Sequence, residues 1–179
     1  MLRQTLKYAG LVISFGLVGA AICSPFIQGK DMTSISRPYE KSEYTYIGDG
    51  EIPLSNDISF SSLDLQVVNV INEEREEMNL DPYMFDRDLG KAAYVRAEEC
   101  EQLFSHTRPN GQKWYTVNQN ICFGENLAYG YNTAEDVVDA WLDSPTHRDL
   151  LYDKEFETCG IGHYEGVDGT TYIACEFGY

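Results

Sequence analysis

The stretch CGIGHYEGVDGTTYIACEF, residues 159–177, decides the fold. It contains two runs rich in β-branched and aromatic residues, Cys159 to Tyr164 and Thr171 to Phe177, on either side of the turn-forming segment Glu165 to Thr170. Two such runs joined by a short segment that contains glycine are typical of an antiparallel β-hairpin. The chain is therefore expected to end in a small sheet.

Upstream of this hairpin, apolar residues recur with the period of a helix in four segments. The first helix is expected from Ser61 or Ser62 to Met78, the second from a cap at Asp86 to a point before Pro109, the third from a cap at Thr133, and the fourth from Pro145 to about Tyr152. A further strand is expected around Ile121 to Phe123. Helices followed by a hairpin predict an α+β domain whose helices pack on a small antiparallel sheet.

The N-terminus has the pattern of a targeting segment. Arg3 and Lys7 precede an apolar run from Tyr8 to Ile22, which is short for a membrane span of about 20 residues. We therefore expect residues 1–23 to be a signal peptide, with an uncleaved N-terminal anchor as the alternative. Residues 24–62 are rich in serine and acidic residues and lack an apolar period, so they are predicted to form a flexible acidic linker to the domain at 63–179.

The charge of the chain excludes some partners. It has 13 basic and 29 acidic residues, a net charge of −16, and loss of Arg3 and Lys7 with a signal peptide would leave 11 basic residues and a charge of −18. An anionic surface repels nucleic acid and anionic lipid headgroups. We expect no nucleic-acid partner and no strong membrane binding by the domain itself.

Four cysteines lie in the part of the chain that is expected to be exported. In a protein outside the cell, an even number of cysteines favours disulfides. The predicted hairpin favours a bond between Cys159 and Cys175, which leaves Cys100 to pair with Cys122. Four buried free thiols are the alternative.

Three short polar stretches contain the candidate site residues. His106 follows the second predicted helix, Glu125 lies in what the sequence suggests is a glycine-flanked loop, and His147 lies in the first turn of the fourth helix. The positive end of a helix disfavours a protonated imidazole, so His147 is expected to be neutral. Two imidazoles and one or two carboxylates are suitable ligands for zinc or a similar divalent ion.

These stretches also resemble a known family. The motifs that carry the resemblance are Ser105-His106, Gly124-Glu125-Asn126-Leu127-Ala128, the stretch from Trp141 to Arg148, Cys159-Gly160-Ile161-Gly162, and the stretch from Tyr172 to Gly178. In this order they resemble the CAP superfamily of cysteine-rich secretory proteins, antigen 5 and pathogenesis-related proteins, and are most similar to its bacterial secreted branch. The resemblance covers about Leu63 to Tyr179.

The resemblance implies a three-layer α-β-α sandwich with a small, mostly antiparallel sheet, usually extracellular. It also implies a cleft lined by two histidines and two acidic residues, which in some members holds a divalent metal such as zinc. His106, Glu125 and His147 match three of these positions. The fourth is usually a glutamate after the tryptophan, and here Asp143 stands closest to that place.

Members of this family do not share one reaction, so the fold alone leaves the function open. We expect a secreted protein, or one tethered to the outer face of the membrane, that acts as a binding module for a lipid, a cell-wall component or a protein. The alternative is a metal-dependent extracellular hydrolase in which Glu125, His106 and His147 hold the ion or activate water.

Overall fold

The computed structural model describes residues 21–27 and 61–179, which contain five strands and four α-helices. The strands are β1 (Ala21–Ile27), β2 (Met84–Phe85), β3 (Gly124–Tyr129), β4 (Thr158–Glu165) and β5 (Thr171–Gly178), and the helices are α1 (Ser62–Glu77), α2 (Arg87–Gln102), α3 (Ala134–Asp143) and α4 (Pro145–Leu151). A single 3-10 turn covers Trp114–Val117. The predicted α+β class is confirmed, and so is the closing hairpin of β4 and β5.

Most of the predicted N-terminal segment and linker lies outside the described residues. The described exception is β1, which pairs with β3 in antiparallel fashion, so that Ala21 lies opposite Tyr129 and Ile27 opposite Gly124. Residues 24–27, which the sequence assigned to the linker, are part of this strand. The signal peptide at 1–23 and the flexible character of the linker stay predictions.

The predicted capping residues start the helices of the domain. Ser61 accepts hydrogen bonds from the backbone N–H groups of Leu63 and Asp64, and the Asp64 carboxylate accepts one from the N–H of Ser61, which completes a capping box. The Asp86 side chain accepts from the N–H groups of Asp88 and Leu89 at the start of α2, and Thr133 accepts from the N–H of Asp136 at the start of α3. These local bonds explain why the helix starts were readable from sequence.

The helices lie on both faces of one five-stranded sheet with the order β1-β3-β5-β4-β2. Helix α2 packs on one face, where Ala93, Ala97 and Cys100 meet Leu127 and Ala174. The other three helices form the main apolar core on the opposite face. Because successive residues of a strand point to opposite faces, each central strand contributes to both layers, which confirms the three-layer sandwich.

Two glycines let α2 approach the sheet closely. A Cβ atom built on Gly160 would lie 2.2 Å from the backbone nitrogen of Gly90, and one built on Gly162 would lie 2.1 Å from that of Tyr94. Both obstacles are helix backbone, which cannot move aside as a flexible side chain can. These glycines of β4 therefore set the distance between helix and sheet.

The substitution Gly162→Ala is expected to lower the free energy of unfolding by more than about 3 kcal/mol, because the added methyl group would displace the backbone of α2. Gly124→Ala is the matched control, since its new Cβ would meet side-chain atoms of Phe156 and Leu150 at 3.2 to 3.3 Å. Urea denaturation of the two variants measures the difference. Equal losses of stability would contradict this account of the helix–sheet contact.

The third strand begins later than predicted. The expected strand around Ile121 to Phe123 is wrong, because these residues precede β3, which starts at Gly124. The glycine made this segment look like a loop. Its strand conformation depends on pairing with β1 and β5, partners that are distant in sequence.

The four cysteines of the domain are buried free thiols in the structure, so the disulfides stay a prediction. Cys159 lies opposite Phe177 and Cys175 opposite Ile161, so the two cysteines are diagonal neighbours. Burial first, and then a hydrogen bond with the Cys159 thiol, raise the pKa of the Cys175 thiol well above its usual range, so the two side chains are in contact as thiols.

The second predicted pair is separated by packing. Cys100 belongs to the cluster of Ala97 and Leu127, whereas Cys122 packs with Trp114 and Leu89 in another cluster. The structure therefore has the thiol alternative that the sequence left open.

Candidate functional site

The centre of the candidate site is Glu125, a fully buried carboxylate in β3. It is on a strand rather than in the loop that the sequence suggested, and its side chain reaches the face covered by α2. There Arg96 Nε donates to Glu125 Oε2 at 2.7 Å. His106 Nδ1 lies 2.6 Å from Glu125 Oε1, so both carboxylate oxygens are engaged by cationic or polar side chains.

Arg96 also fastens the loop that carries His106. Its Nη2 donates to the carbonyl oxygen of Ser105 at 2.7 Å, and its Nη1 donates to Glu99 Oε2 at 2.6 Å. Glu99 in turn accepts from Arg108 Nη2 at 2.6 Å. One buried guanidinium thus joins helix α2, strand β3 and the loop after α2.

The electrostatics of this group favour an ionised Glu125. Burial by itself would raise the pKa of its carboxyl, but the hydrogen bond from His106 and the charge of Arg96 outweigh burial and lower the pKa. A carboxylate only accepts hydrogen bonds, so His106 Nδ1–H is the donor. The bond thereby fixes the orientation of the imidazole ring.

A second buried carboxyl group faces the first. Glu176 in β5 lies directly opposite Glu125 and is fully buried. Burial first, and then the charge of Glu125, raise the pKa of Glu176 well above its usual range. Two like charges on neighbouring buried side chains disfavour each other, so the raised pKa favours the protonated form of Glu176.

The other two predicted site residues lie elsewhere. His147 is buried in α4, where its Nδ1 lies 2.7 Å from Ser144 Oγ and its carbonyl oxygen accepts from Asn126 Nδ2 at 3.1 Å. Helix α4 belongs to the layer on the opposite face of the sheet from α2. Asp143 is exposed at the end of α3. The structure therefore brings His106 and Glu125 together and places His147 and Asp143 apart from them.

This arrangement does not fit a metal ion shared by the four predicted residues. Glu125 is already neutralised by Arg96, and His147 belongs to the other layer. Among residues 61–179, no three histidine, cysteine, aspartate or glutamate side chains are grouped so that they could hold an ion. In the described arrangement, Glu125 acts as an orienting partner for His106.

Sequence reasoning missed Arg96 and Glu176, although the sequence contains a signal for both. Arg96 lies on the same helix face as Ala93, Ala97 and Cys100, a face that is otherwise apolar. Glu176 alternates with Cys175 and Phe177 in a buried strand. A charged residue at a core position needs a buried partner. Arg96 finds this partner in Glu125, and Glu176 lies directly opposite Glu125 on the neighbouring strand.

Comparison with known proteins identifies the architecture around this site. The family model described as the cysteine-rich secretory protein family, CAP, matches residues 68–177, which is more than half of the chain. The chain belongs to the CAP family. The resemblance seen in the sequence motifs is thereby confirmed, and the matched segment contains Arg96, His106, Glu125 and Glu176.

Two bacterial proteins illustrate the range of CAP relatives. The uncharacterized protein YkwD of Bacillus subtilis is 30% identical over 114 residues, 60% of this chain and 44% of that protein. An outer surface protein of Borrelia burgdorferi has 26% identity and a TM-score of 0.55, over 63% of this chain and 88% of that one. The chain spans less than half the length of the curated relatives it matches.

A second similar structure supports the fold. An extracellular protein of Bacillus anthracis that contains an SCP domain has a TM-score of 0.57 at 22% identity, over 65% of this chain and 40% of that one. The two solved structures named here are thus of an outer surface protein and an extracellular protein. No helix in the described part of this chain is long and apolar enough to cross a membrane.

The two buried carboxyl groups are expected to respond differently to loss of charge. Glu125→Gln should lower the free energy of unfolding by about 3 to 5 kcal/mol, because it leaves Arg96 buried without its counter-charge. Glu176→Gln should change it by less than about 1 kcal/mol, since the raised pKa of Glu176 favours a neutral carboxyl and the amide is also neutral. Chemical denaturation at pH 7 compares them, with the exposed Asp143→Asn as control. A larger loss for Glu176→Gln would refute this assignment of protons.

Proposed function

We propose that the chain is a secreted or cell-surface CAP domain that acts as a binding module, with the His106–Glu125 pair as the polar centre of its cleft. The observation that supports binding over catalysis is the engagement of Glu125. Its carboxylate is fully buried, and both oxygens are held by Arg96 and His106. A general base has to reach the proton that it removes from the substrate. Both oxygens of Glu125 are already engaged inside the protein, so Glu125 is not placed to do so.

The expected ligand is a lipid, a cell-wall component or a protein. The strongly acidic composition argues against nucleic acid and anionic membranes as partners. Surface or extracellular neighbours favour a ligand met outside the cell. Such a ligand would contact the His106 side chain, because Glu125 fixes its ring and 15% of the side chain stays accessible, although its Nε2 atom is buried.

Incubation with purified peptidoglycan separates binding from hydrolysis. We expect the full-length protein to sediment with peptidoglycan without releasing soluble fragments, and His106→Ala to reduce the bound fraction while Asp143→Asn leaves it unchanged. Vesicles of phosphatidylcholine test the lipid alternative in the same way. Release of fragments that stops in Glu125→Ala, with the circular dichroism spectrum preserved, would establish the hydrolase instead.

Zinc binding stays a prediction that calorimetry can decide. Because His106 and His147 belong to different layers, we expect that any heat of zinc binding to the full-length protein persists after His106→Ala combined with His147→Ala. Abolition of the heat by the double substitution, but by neither Asp143→Asn nor His163→Ala, would show that the two histidines share an ion.

A further inference from the structure

In the part of the chain that the structure describes, a second buried arginine has no salt bridge to a carboxylate. Arg75 in α1 is 2% exposed. Its Nε donates to the carbonyl oxygen of Asp81 at 2.7 Å, and its Nη1 donates to those of Leu151 and Asp153 at 2.7 and 2.9 Å. Its guanidinium carbon lies 3.5 Å from the centroid of the Tyr83 ring. The group is thus rigidly held by neutral acceptors and an aromatic face.

The remaining nitrogen of this guanidinium is available to a ligand. In the described part of the chain, Arg75 Nη2 makes no hydrogen bond, and Arg75 lines a cavity of about 520 Å³. Pockets for small ligands have volumes of roughly 300 to 1,000 Å³. We call this space the Arg75 cavity. It shares no residue with the Arg96, His106 and Glu125 site.

Both basic and acidic residues line the Arg75 cavity. Lys154 adds a second cation to Arg75, and Asp81 and Glu157 contribute two carboxylates. A simple anion would meet the carboxylates, and a simple cation would meet Arg75 and Lys154. A ligand that carries one charge of each sign complements the lining best.

Apart from Asn79, the rest of the lining is apolar. Leu80, Met84 and Phe156 contribute hydrophobic surface between the charged groups. Apolar contacts supply most of the burial in small-ligand sites, while a few polar groups fix the orientation. The matching ligand therefore has apolar side chains between two opposite charges.

We propose that the Arg75 cavity binds short peptides through their free ends, with the terminal carboxylate on Arg75 and Lys154 and the terminal ammonium on Asp81 and Glu157. The planar guanidinium forms charge-assisted hydrogen bonds to a carboxylate. Apolar side chains of the peptide pack on Leu80, Met84 and Phe156. This site adds a ligand of defined chemistry to the domain and does not depend on the function proposed for the His106–Glu125 pair.

Calorimetry with trileucine and two blocked forms tests the proposal on the full-length protein. Trileucine is expected to bind, and trileucine amide and N-acetyl-trileucine are each expected to bind at least about tenfold more weakly, because each lacks one charge. Absence of heat with trileucine, or equal affinity for all three peptides, would overturn the proposal.

Exposed residues of the cavity provide variants that should keep the fold. Lys154→Gln should weaken trileucine by about threefold or more but leave trileucine amide unaffected, and Asp81→Asn should weaken trileucine but not N-acetyl-trileucine. Lys91→Gln, an exposed lysine on α2, is the matched control and should change nothing. Trileucine binding that is lost in His106→Ala and retained in Lys154→Gln would assign the peptide to the other site and refute this one.

Discussion

The ion pair between Arg96 and Glu125 is the contact on which the rest of the site depends. Both side chains are completely out of water, so neither charge can be solvated if the other is absent. The same guanidinium holds the Ser105 carbonyl oxygen, and the same carboxylate orients His106. Helix α2, strand β3 and the following loop are therefore fixed by one group of mutually compensating charges.

The sheet separates polar chemistry from the main core. On the α2 face, Glu125 and Glu176 lie opposite each other on neighbouring strands, and the raised pKa of Glu176 favours its neutral form. On the other face, Cys159 and Cys175 pack among apolar residues of the larger cluster. Successive side chains of a strand point to opposite faces of the sheet, so adjacent residues such as Cys175 and Glu176 lie in different layers.

The two arginines of α1 and α2 show two ways in which a buried guanidinium is accommodated. Arg96 is balanced by carboxylates, and its interactions close the candidate site. Arg75 is held by carbonyl oxygens and the Tyr83 ring, so its charge is not neutralised by direct contact with an acid. Burial, the largest influence, accordingly lowers the pKa of Arg75. That difference is why a ligand carboxylate suits the Arg75 cavity.

The sequence by itself determined the helices, the closing hairpin, the three-layer class and the CAP family. These depend on information that is local in the chain: capping residues such as Ser61 and Asp86, apolar periodicity, and motifs in a fixed order. It also selected His106 and Glu125 correctly as neighbours.

Tertiary structure decided which candidates meet. Glu125 lies on a strand because β1 and β5 pair with β3, and no local pattern records those partners. His147 and Asp143 are kept away from Glu125 because the strand order and the packing of α3 and α4 assign them to other parts of the fold. Arg96 and Glu176 are neighbours of Glu125 only in the folded protein, because α2 packs on the sheet and β5 pairs with β3. The partner of a buried charge is close in space and not in sequence.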